Sequence, residues 1–163
     1  MRLTRTIPLV LAAASLAGCI AKSTTVADRP VAIDVARDGR VDIINVDYVP
    51  VMREVPAEFS TIFTSRVKGR LDRCAQGNRP LRLDASVIEY VKTDALTNNL
   101  LVGRNRIRGL AVLTDLQTGR EVGRYTIERT FVGRNGLFGM GPAQDQLSAA
   151  FGGEVCRQAF HAR

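Results

Sequence analysis

The stretch NRIRGLAVLTDLQTGREVGRYTIERTFV, residues 105–132, decides the fold. Residues 105–116 and 121–132 are rich in Val, Ile, Thr and aromatic side chains, which strands favour. Between them Asp115 stands at the start of a turn, and Gly119 stands where a positive φ is expected. The stretch therefore predicts an antiparallel hairpin of two long strands, against which the rest of the chain packs.

Strand patterns also precede this hairpin. Residues 81–93 begin with apolar and polar residues in alternation, and the phase slips near Val87, which predicts either a bulge or a stretch covered on both faces. The inward positions are Leu81, Leu83, Ala85 and Val87. Residues 41–51 are a further strand, rich in Val, Ile and Tyr. A shorter alternation at residues 31–36 predicts one more, joined to residues 41–51 by a hairpin turn at Asp38-Gly39.

Two segments have the spacing of amphipathic helices. The stripe of residues 56–77 is Phe59, Ile62, Phe63, Val67, Leu71 and Cys74. The stripe of residues 142–160 is Leu147, Phe151, Val155 and Ala159. Gly152 and Gly153 interrupt the second helix, where we expect a close approach of its backbone to the sheet. Because both stripes need a surface to cover, we predict an α+β two-layer sandwich in β-α-β-β-β-α order, with two helices on one face of a mainly antiparallel sheet.

Composition and size limit the possible functions. The chain has 163 residues, of which 45% are hydrophobic and 24% charged, so it can form a single core and is not of the disordered class. Its one histidine, His161, lies near the C-terminus, where a catalytic triad or a metal site is not expected. Carboxylates such as Asp84 and Glu89 are expected to be solvated strand residues. The sequence predicts neither an enzyme nor a metal site.

The N-terminus has the pattern of an export signal. Arg2 and Arg5 precede an apolar run at residues 7–17, which is shorter than the roughly 20 residues of a membrane span. The run ends in Leu16-Ala17-Gly18-Cys19, which resembles the lipobox of bacterial lipoproteins. That resemblance implies that residues 1–18 are a cleaved signal peptide and that Cys19 carries a covalent lipid, with palmitate on its new amine. The alternative is an ordinary signal peptide with a chance cysteine at the cut.

The same resemblance implies a location. Ile20 occupies the second position of the mature chain, where inner-membrane lipoproteins often have Asp, and this favours the outer membrane with the domain facing the periplasm. Residues 19–30 are expected to be the lipidated N-terminus and a flexible tether. Residues 31–163 are expected to be a single periplasmic domain. The lipid on Cys19 is the one cofactor that the sequence implies.

The cysteine count fits this location. Once Cys19 carries lipid, Cys74 and Cys156 remain as an even pair in an oxidising compartment, and we expect them to form a disulfide bond. It would join the end of the first predicted helix to the last one. The alternative is two buried free thiols.

Two loops carry the candidate partner-binding residues. Residues 94–104 and 133–141 place apolar side chains among glycine and asparagine, and both overlap a copy of Val-Gly-Arg-Asn, at residues 102–105 and 132–135. Apolar residues on such loops either cover the core or meet a partner. The residues expected to contact an envelope protein partner are Leu100, Leu101, Arg104, Arg134, Leu137 and Phe138.

The charge suggests what else the domain meets. The formal net charge is +7, and loss of Arg2 and Arg5 with the signal segment leaves +5. Many arginines cluster on the predicted hairpin and its ends: Arg104, Arg106, Arg108, Arg120, Arg124, Arg129 and Arg134. An anchored periplasmic domain meets little nucleic acid, so the expected anionic partners are lipid headgroups, lipopolysaccharide and glycan.

The predicted function follows from these features together. The element order resembles, at the level of fold, the lipopolysaccharide-assembly lipoprotein and transporter-auxiliary lipoproteins of the envelope. That resemblance implies a non-catalytic outer-membrane lipoprotein that acts as an accessory or assembly factor. The alternative function is a binding module for an anionic envelope ligand, which the basic face would hold.

Overall fold

A computed structural model describes residues 20–48, 57–91, 103–133 and 143–160. The elements in chain order are β1 (Ile20–Arg29), α1 (Ile33–Asp38), β2 (Gly39–Tyr48), α2 (Phe59–Leu71), β3 (Arg79–Val91), β4 (Gly103–Asp115), β5 (Glu121–Gly133) and α3 (Ala143–Val155). A π-helical turn, Cys156–Phe160, continues α3. The predicted signal peptide, residues 1–18, and Cys19 lie outside the described residues.

The strands form one mixed sheet in the order β1-β5-β4-β3-β2. Its pairs are antiparallel except for β2 and β3, which run parallel. The parallel pair follows from α2, which lies between these two strands in the chain and gives the crossover that a parallel connection needs. The predicted α+β class is confirmed, with α2 and α3 covering the face of the sheet that holds the core.

The β4–β5 hairpin closes through the side chain of Asp115. Its Oδ1 accepts backbone N–H bonds from Gln117 and Thr118, each at 2.8 Å, and Gly119 adopts a φ of 68°. The carboxylate is fully buried and also accepts a hydrogen bond from Arg79 at the start of β3. The backbone bond from Thr118 and the bond from Arg79 lower the pKa of Asp115 to about 2. The predicted hairpin is confirmed, and its turn is fastened to the neighbouring strand.

The predicted stripes form the core. In α2 the buried positions are Phe59, Phe63, Val67 and Leu71, and in α3 and its extension they are Leu147, Phe151, Val155 and Ala159. The inward residues of β3 are those that the alternation predicts. The pairing register of β3 with β4 shifts between Val87 and Glu89, so the predicted bulge is present.

The two long helices approach each other closely at Gly152. A Cβ built on Gly152 would lie 2.9 Å from Val67 Cα and 3.1 Å from Arg70 Cβ, both in α2. The expectation that this glycine lets α3 approach the sheet is therefore wrong, because its open side faces α2. A Cβ on Gly153 would meet nothing within 4 Å. Only the first of the two adjacent glycines is needed for the packing.

A disulfide bond joins the ends of these helices. Cys74 lies just after α2 and Cys156 just after α3, with their Cα atoms 5.8 Å apart. The expected pairing is confirmed. The bond closes a loop with a sequence separation of 82 residues and fixes the far ends of two helices that already touch at Gly152.

The short element after Pro30 is a helix, so the strand expected at residues 31–36 is wrong. Alternation would bury Ile33 together with Val35, whereas Ile33 is 53% exposed and the adjacent Val35 and Ala36 are both buried. Two adjacent buried residues fit one face of a helical turn, which the bond from Ala36 N–H to the Ala32 carbonyl closes at 2.9 Å. The hairpin expected at Asp38-Gly39 is also wrong, because Gly39 begins β2 directly after this helix.

The flexible tether expected for residues 19–30 is wrong as well. Ile20–Arg29 is strand β1, which pairs antiparallel with β5 from Ile20 opposite Val132 onward. Its inward side chains include Ser23 and Thr25, which are polar and so lack the apolar alternation of a core strand. As an edge strand, β1 tolerates such residues where a polar partner meets them.

We expect the two glycines of α3 to differ sharply on substitution. Gly152→Ala should lower the free energy of unfolding by about 1–3 kcal/mol, because the new methyl group would crowd the backbone of Val67. Gly153→Ala, the matched control, should leave it unchanged or raise it by up to about 1 kcal/mol, since alanine favours a helix and space is open. Urea unfolding measures both, and equal effects of the two variants would contradict the close contact.

We also expect the disulfide bond to stabilise the fold. In the chain-entropy view a loop of this length contributes about 4.5 kcal/mol, so Cys74→Ser with Cys156→Ser should cost about 2–5 kcal/mol. Thermal unfolding of the oxidised protein, the reduced protein and the double variant measures this effect. The reduced protein and the variant should unfold at the same temperature. A variant as stable as the oxidised protein would contradict the stabilising role of the disulfide bond.

Candidate functional site

A shallow groove of about 670 Å³ lies over the exposed side of α3. Its floor is made of small residues of that helix, Ala149, Ala150 and Gly153. Arginines stand around it: Arg66 and Arg70 on α2, Arg129 on β5, and Arg157 in the π-helical turn. We call this feature, defined by these four arginines and the three small residues, the arginine groove. Phe131, Asp145, Gln146 and Glu154 complete its lining.

The α2 wall of the groove has one paired and one unpaired arginine. Arg66 makes an ion pair with Asp145 at the start of α3. Within the described part of the chain, the side chain of Arg70 makes no ion pair or hydrogen bond. Both arginines are exposed and lie beside the buried stripe of α2, on the flank that faces α3. The close contact at Gly152 brings this wall against the floor.

The β5 wall is built from Arg129 and Phe131, two residues apart on the inward side of the strand. The Arg129 guanidinium carbon lies 5.7 Å from the centroid of the Phe131 ring, which gives a cation–π contact. Arg129 is 17% exposed at its side chain, and its Nη1 lies 3.5 Å from Glu154 Oε2. Its Nε is buried without a hydrogen-bond partner, and burial lowers the pKa of Arg129.

Glu154 is the buried carboxylate beneath this wall, with 2% of its surface exposed. It accepts hydrogen bonds from Ser23 Oγ at 2.9 Å, Thr25 Oγ1 at 2.6 Å and Gln158 Nε2 at 3.0 Å. It also binds the guanidinium of Arg157. Burial alone would raise the pKa of Glu154, but these hydrogen bonds, led by that of Arg157, lower it to about 2. The carboxylate therefore stays ionised and ties β1 to the end of α3.

The groove carries a net positive charge. Its lining holds four guanidinium groups and two carboxylates, which leaves two positive charges. Arg66 is neutralised by Asp145, whereas Arg129 and Arg157 share the single charge of Glu154. The excess therefore lies on Arg70 and on the Arg129–Arg157 wall, facing each other across a floor without bulky side chains. Such an arrangement can hold an anion.

Most of the residues predicted to bind a partner fall outside the described ranges. These are Leu100, Leu101, Arg134, Leu137 and Phe138. Arg104 belongs to β4, where its backbone is opposite Val132 of β5. Gly103 is opposite Gly133, and Ile20 is opposite Val132, so both loops leave the sheet at the end where β1 begins.

The arginine cluster read from the hairpin sequence is divided between two faces of the sheet. Arg106 and Arg124 lie on the face that no described helix covers, where Arg106 pairs with Glu89 and Glu128 and Arg124 pairs with Glu121. Arg129 lies on the opposite face, in the groove. On the uncovered face, two arginines of the cluster are therefore ion-paired, Arg106 across strands and Arg124 within β5.

The sequence reasoning missed Arg66, Arg70 and Arg157 as site residues. The only local signal was that basic residues occupy the outer side of the first predicted helix. Nothing in the chain order indicates that residues 66, 129 and 157 meet.

Metal ligands and membrane spans are the two further features that bear on function in the described ranges. No group of three or more histidine, cysteine or carboxylate residues there is arranged to hold a metal ion. Among those same residues, no helix combines the length and apolar character that crossing a membrane requires.

Comparison with known proteins bears on the fold. No protein family and no curated protein sequence matches the chain. Its structure is similar to the PelC dodecamer from Paraburkholderia phytofirmans, with a TM-score of 0.51 and 15% identity over 85% of this chain and 99% of that one. A minor lipoprotein from Acinetobacter baumannii matches with a TM-score of 0.42 and 12% identity, over 75% of this chain and 91% of that one. At such identities the likeness to PelC concerns the fold alone.

We expect Glu154 to make stability depend on acid pH. Its pKa is lowered from 4.5 to about 2 in the folded protein, so its contribution is fully present above pH 4.5 and is lost as the pH falls towards 2. Glu154→Gln should lower the free energy of unfolding at neutral pH by about 1–3 kcal/mol, because Ser23, Thr25 and Arg157 lose their charged acceptor. In the wild type the free energy of unfolding should decline below pH 4.5, and the variant should show a smaller decline. The part that remains is due to Asp115.

The matched control is Glu58→Gln, which removes an exposed carboxylate at the start of α2 that makes no side-chain cap bond. It should change neither the stability nor its pH dependence. Urea unfolding at a series of pH values measures all three proteins. A Glu154→Gln variant with the pH profile of the wild type would contradict the role of this carboxylate.

Proposed function

We propose that this chain is a non-catalytic, lipid-anchored lipoprotein of the outer membrane that acts as an accessory or assembly factor in the cell envelope. The observation that carries the proposal is the position of Cys19, the lipobox cysteine, immediately before Ile20, where β1 begins. A lipid on Cys19 would attach to the sheet itself, without a spacer. The Cys74–Cys156 bond supports an exported location, because disulfides persist in oxidising compartments such as the periplasm.

This arrangement supports an orientation for the anchored domain. The sheet end that carries Ile20 is also the end from which residues 92–102 and 134–142 leave the strands. The domain would therefore stand with this end towards the bilayer. The partner-binding residues proposed in those loops, which include Leu100, Leu101, Leu137 and Phe138, would meet an envelope protein near the membrane surface.

The titratable groups support a non-catalytic role. The two carboxylates with strongly lowered pKa values, Asp115 and Glu154, are buried and bonded to a turn and to a strand edge. A general base works best with a pKa near the working pH. With pKa values of about 2, these groups are suited to holding structure and are poor proton acceptors near neutrality.

Lipidation is the first test. The wild-type chain should incorporate labelled palmitate and fractionate with outer membranes on a density gradient. Cys19→Ser should lose the label and keep residues 1–18, since the cut depends on the modified cysteine. Cys74→Ser with Cys156→Ser is the matched control and should keep the label. A wild-type chain that takes up no palmitate would sink the lipoprotein proposal.

The proposed loop contact has its own test. Crosslinking in intact cells should join the wild-type chain to an envelope protein, and Leu137→Ser with Phe138→Ser should remove that product. Ile88→Ser is the control, because it removes an apolar side chain that is 43% exposed on β3. If the double variant keeps every crosslinked product, these loop residues do not contact the partner.

A second candidate function is a binding module for an anionic envelope ligand. The arginine groove favours it, whereas the ion-paired arginines of the uncovered face do not. Binding of this kind weakens with salt, because exposed charges are screened beyond about 8 Å at physiological ionic strength.

A further inference from the structure

The arginine groove has donors that the protein itself does not satisfy. Arg129 Nε is buried without a hydrogen-bond partner, and Arg129 shares the charge of Glu154 with Arg157. Because that Nε is closed to solvent, a ligand in the groove would meet the exposed part of the Arg129 side chain, which is 17% of its surface. Arg70 faces this wall from α2 and has no ion pair in the described ranges. Both walls therefore present guanidinium donors to whatever occupies the space between them.

The floor of the groove lets a ligand reach these donors. Ala149, Ala150 and Gly153 carry no side chain beyond Cβ, and the Cβ position of Gly153 opens onto empty space. Phe131 adds an apolar surface beside the Arg129 guanidinium. The groove thus suits a ligand with an anionic head and an apolar part.

The distance of the groove from the anchoring residue favours one class of such ligands, those that lie in the membrane. The β1–β5 register puts Ser23 opposite Arg129 and Ala21 opposite Phe131. Ser23 follows Cys19 by four residues, so at about 3.3 Å per residue the Arg129 wall lies within about 13 Å of the anchoring residue. The headgroup layer of a bilayer is about 5–7 Å thick on each side. A long arginine side chain can bridge most of the remaining distance.

We infer that the arginine groove binds the phosphate headgroup of an anionic phospholipid in the membrane to which the chain is anchored. The inference rests on the proposed function for the nearness of the groove to the bilayer. Arg70 and Arg129 would donate to the phosphate oxygens from opposite walls, and Phe131 would contact the glycerol and the first methylenes. Guanidinium groups match phosphate in shape and can bind it through two parallel hydrogen bonds.

Vesicle flotation tests the inference without the anchor. The chain with Cys19→Ser, exported through an ordinary signal peptide so that its disulfide forms, is mixed with phosphatidylcholine vesicles with or without phosphatidylglycerol. We expect it to float with the phosphatidylglycerol vesicles and to be released by salt. Absence of binding would overturn the inference, while the palmitate label on the wild-type chain would still decide the lipoprotein proposal separately.

Single arginine changes separate the groove from general basic attraction. Arg70→Gln and Arg129→Gln should each weaken flotation about tenfold, as expected for a lost charge-assisted hydrogen bond. Arg108→Gln is the matched control, because it removes the same charge from an exposed position on β4 and should change binding less than about twofold. Equal losses in all three variants would overturn the inference in favour of non-specific attraction.

A substitution on the floor of the groove tests the same site if Arg129→Gln fails to fold. Gly153→Glu adds a carboxylate in open space and should abolish flotation while the protein unfolds at the wild-type temperature.

Competition with the vesicles identifies the source of the anion. Inorganic phosphate that displaces the vesicles at low concentration would show a free-phosphate site, and displacement by polyglutamate alone would show an acidic-peptide site. Either result would overturn the lipid assignment.

Discussion

The buried carboxylate of Glu154 is the interaction on which the architecture of this chain depends. It accepts hydrogen bonds from β1, from Arg129 of β5 and from the π-helical turn, and it remains ionised although only 2% of its surface is exposed. Ser23 and Thr25 on the inward side of β1 are polar, so they bring no apolar surface to this edge of the sheet. Their hydrogen bonds to Glu154 tie the strand to the end of α3. The same carboxylate pairs with Arg129 and Arg157, so one side chain both holds the edge strand and positions two arginines of the groove.

The contact between α2 and α3 shapes the other wall of the groove. Gly152 lets the helices approach until backbone meets backbone, and the Cys74–Cys156 bond fixes their ends just beyond that point. This approach brings Arg66 and Arg70 next to the floor of the groove, because they lie on the flank of α2 that faces α3. The small size of Gly152 thus allows both the close packing of the two helices and the position of the α2 arginines beside the groove.

The core elements could be predicted because their signals are local. The Asp115–Gly119 turn, the alternation of β3 and the stripes of α2 and α3 depend on residues a few positions apart, and each is present where the pattern puts it. The wrong predictions for residues 31–36 and 19–30 have a different cause. Residues 31–36 alternate as a strand would, but tertiary contacts bury the adjacent Val35 and Ala36 and make the segment helical. Strand β1 has a polar sequence, and its partner Glu154 lies more than a hundred residues away.

The sequence by itself determined the class of fold, the two helical stripes, the pairing of Cys74 with Cys156 and the lipobox expectation for Cys19. These depend on periodicity, on residue chemistry and on short motifs, which need no knowledge of distant neighbours. Only the tertiary structure decided that β1 leaves no spacer after Cys19 and that Arg66, Arg70, Arg129 and Arg157 surround one groove. The reason is physical: their meeting is set by strand register and by the distance between two helices, and neither quantity is written in any local stretch of the chain.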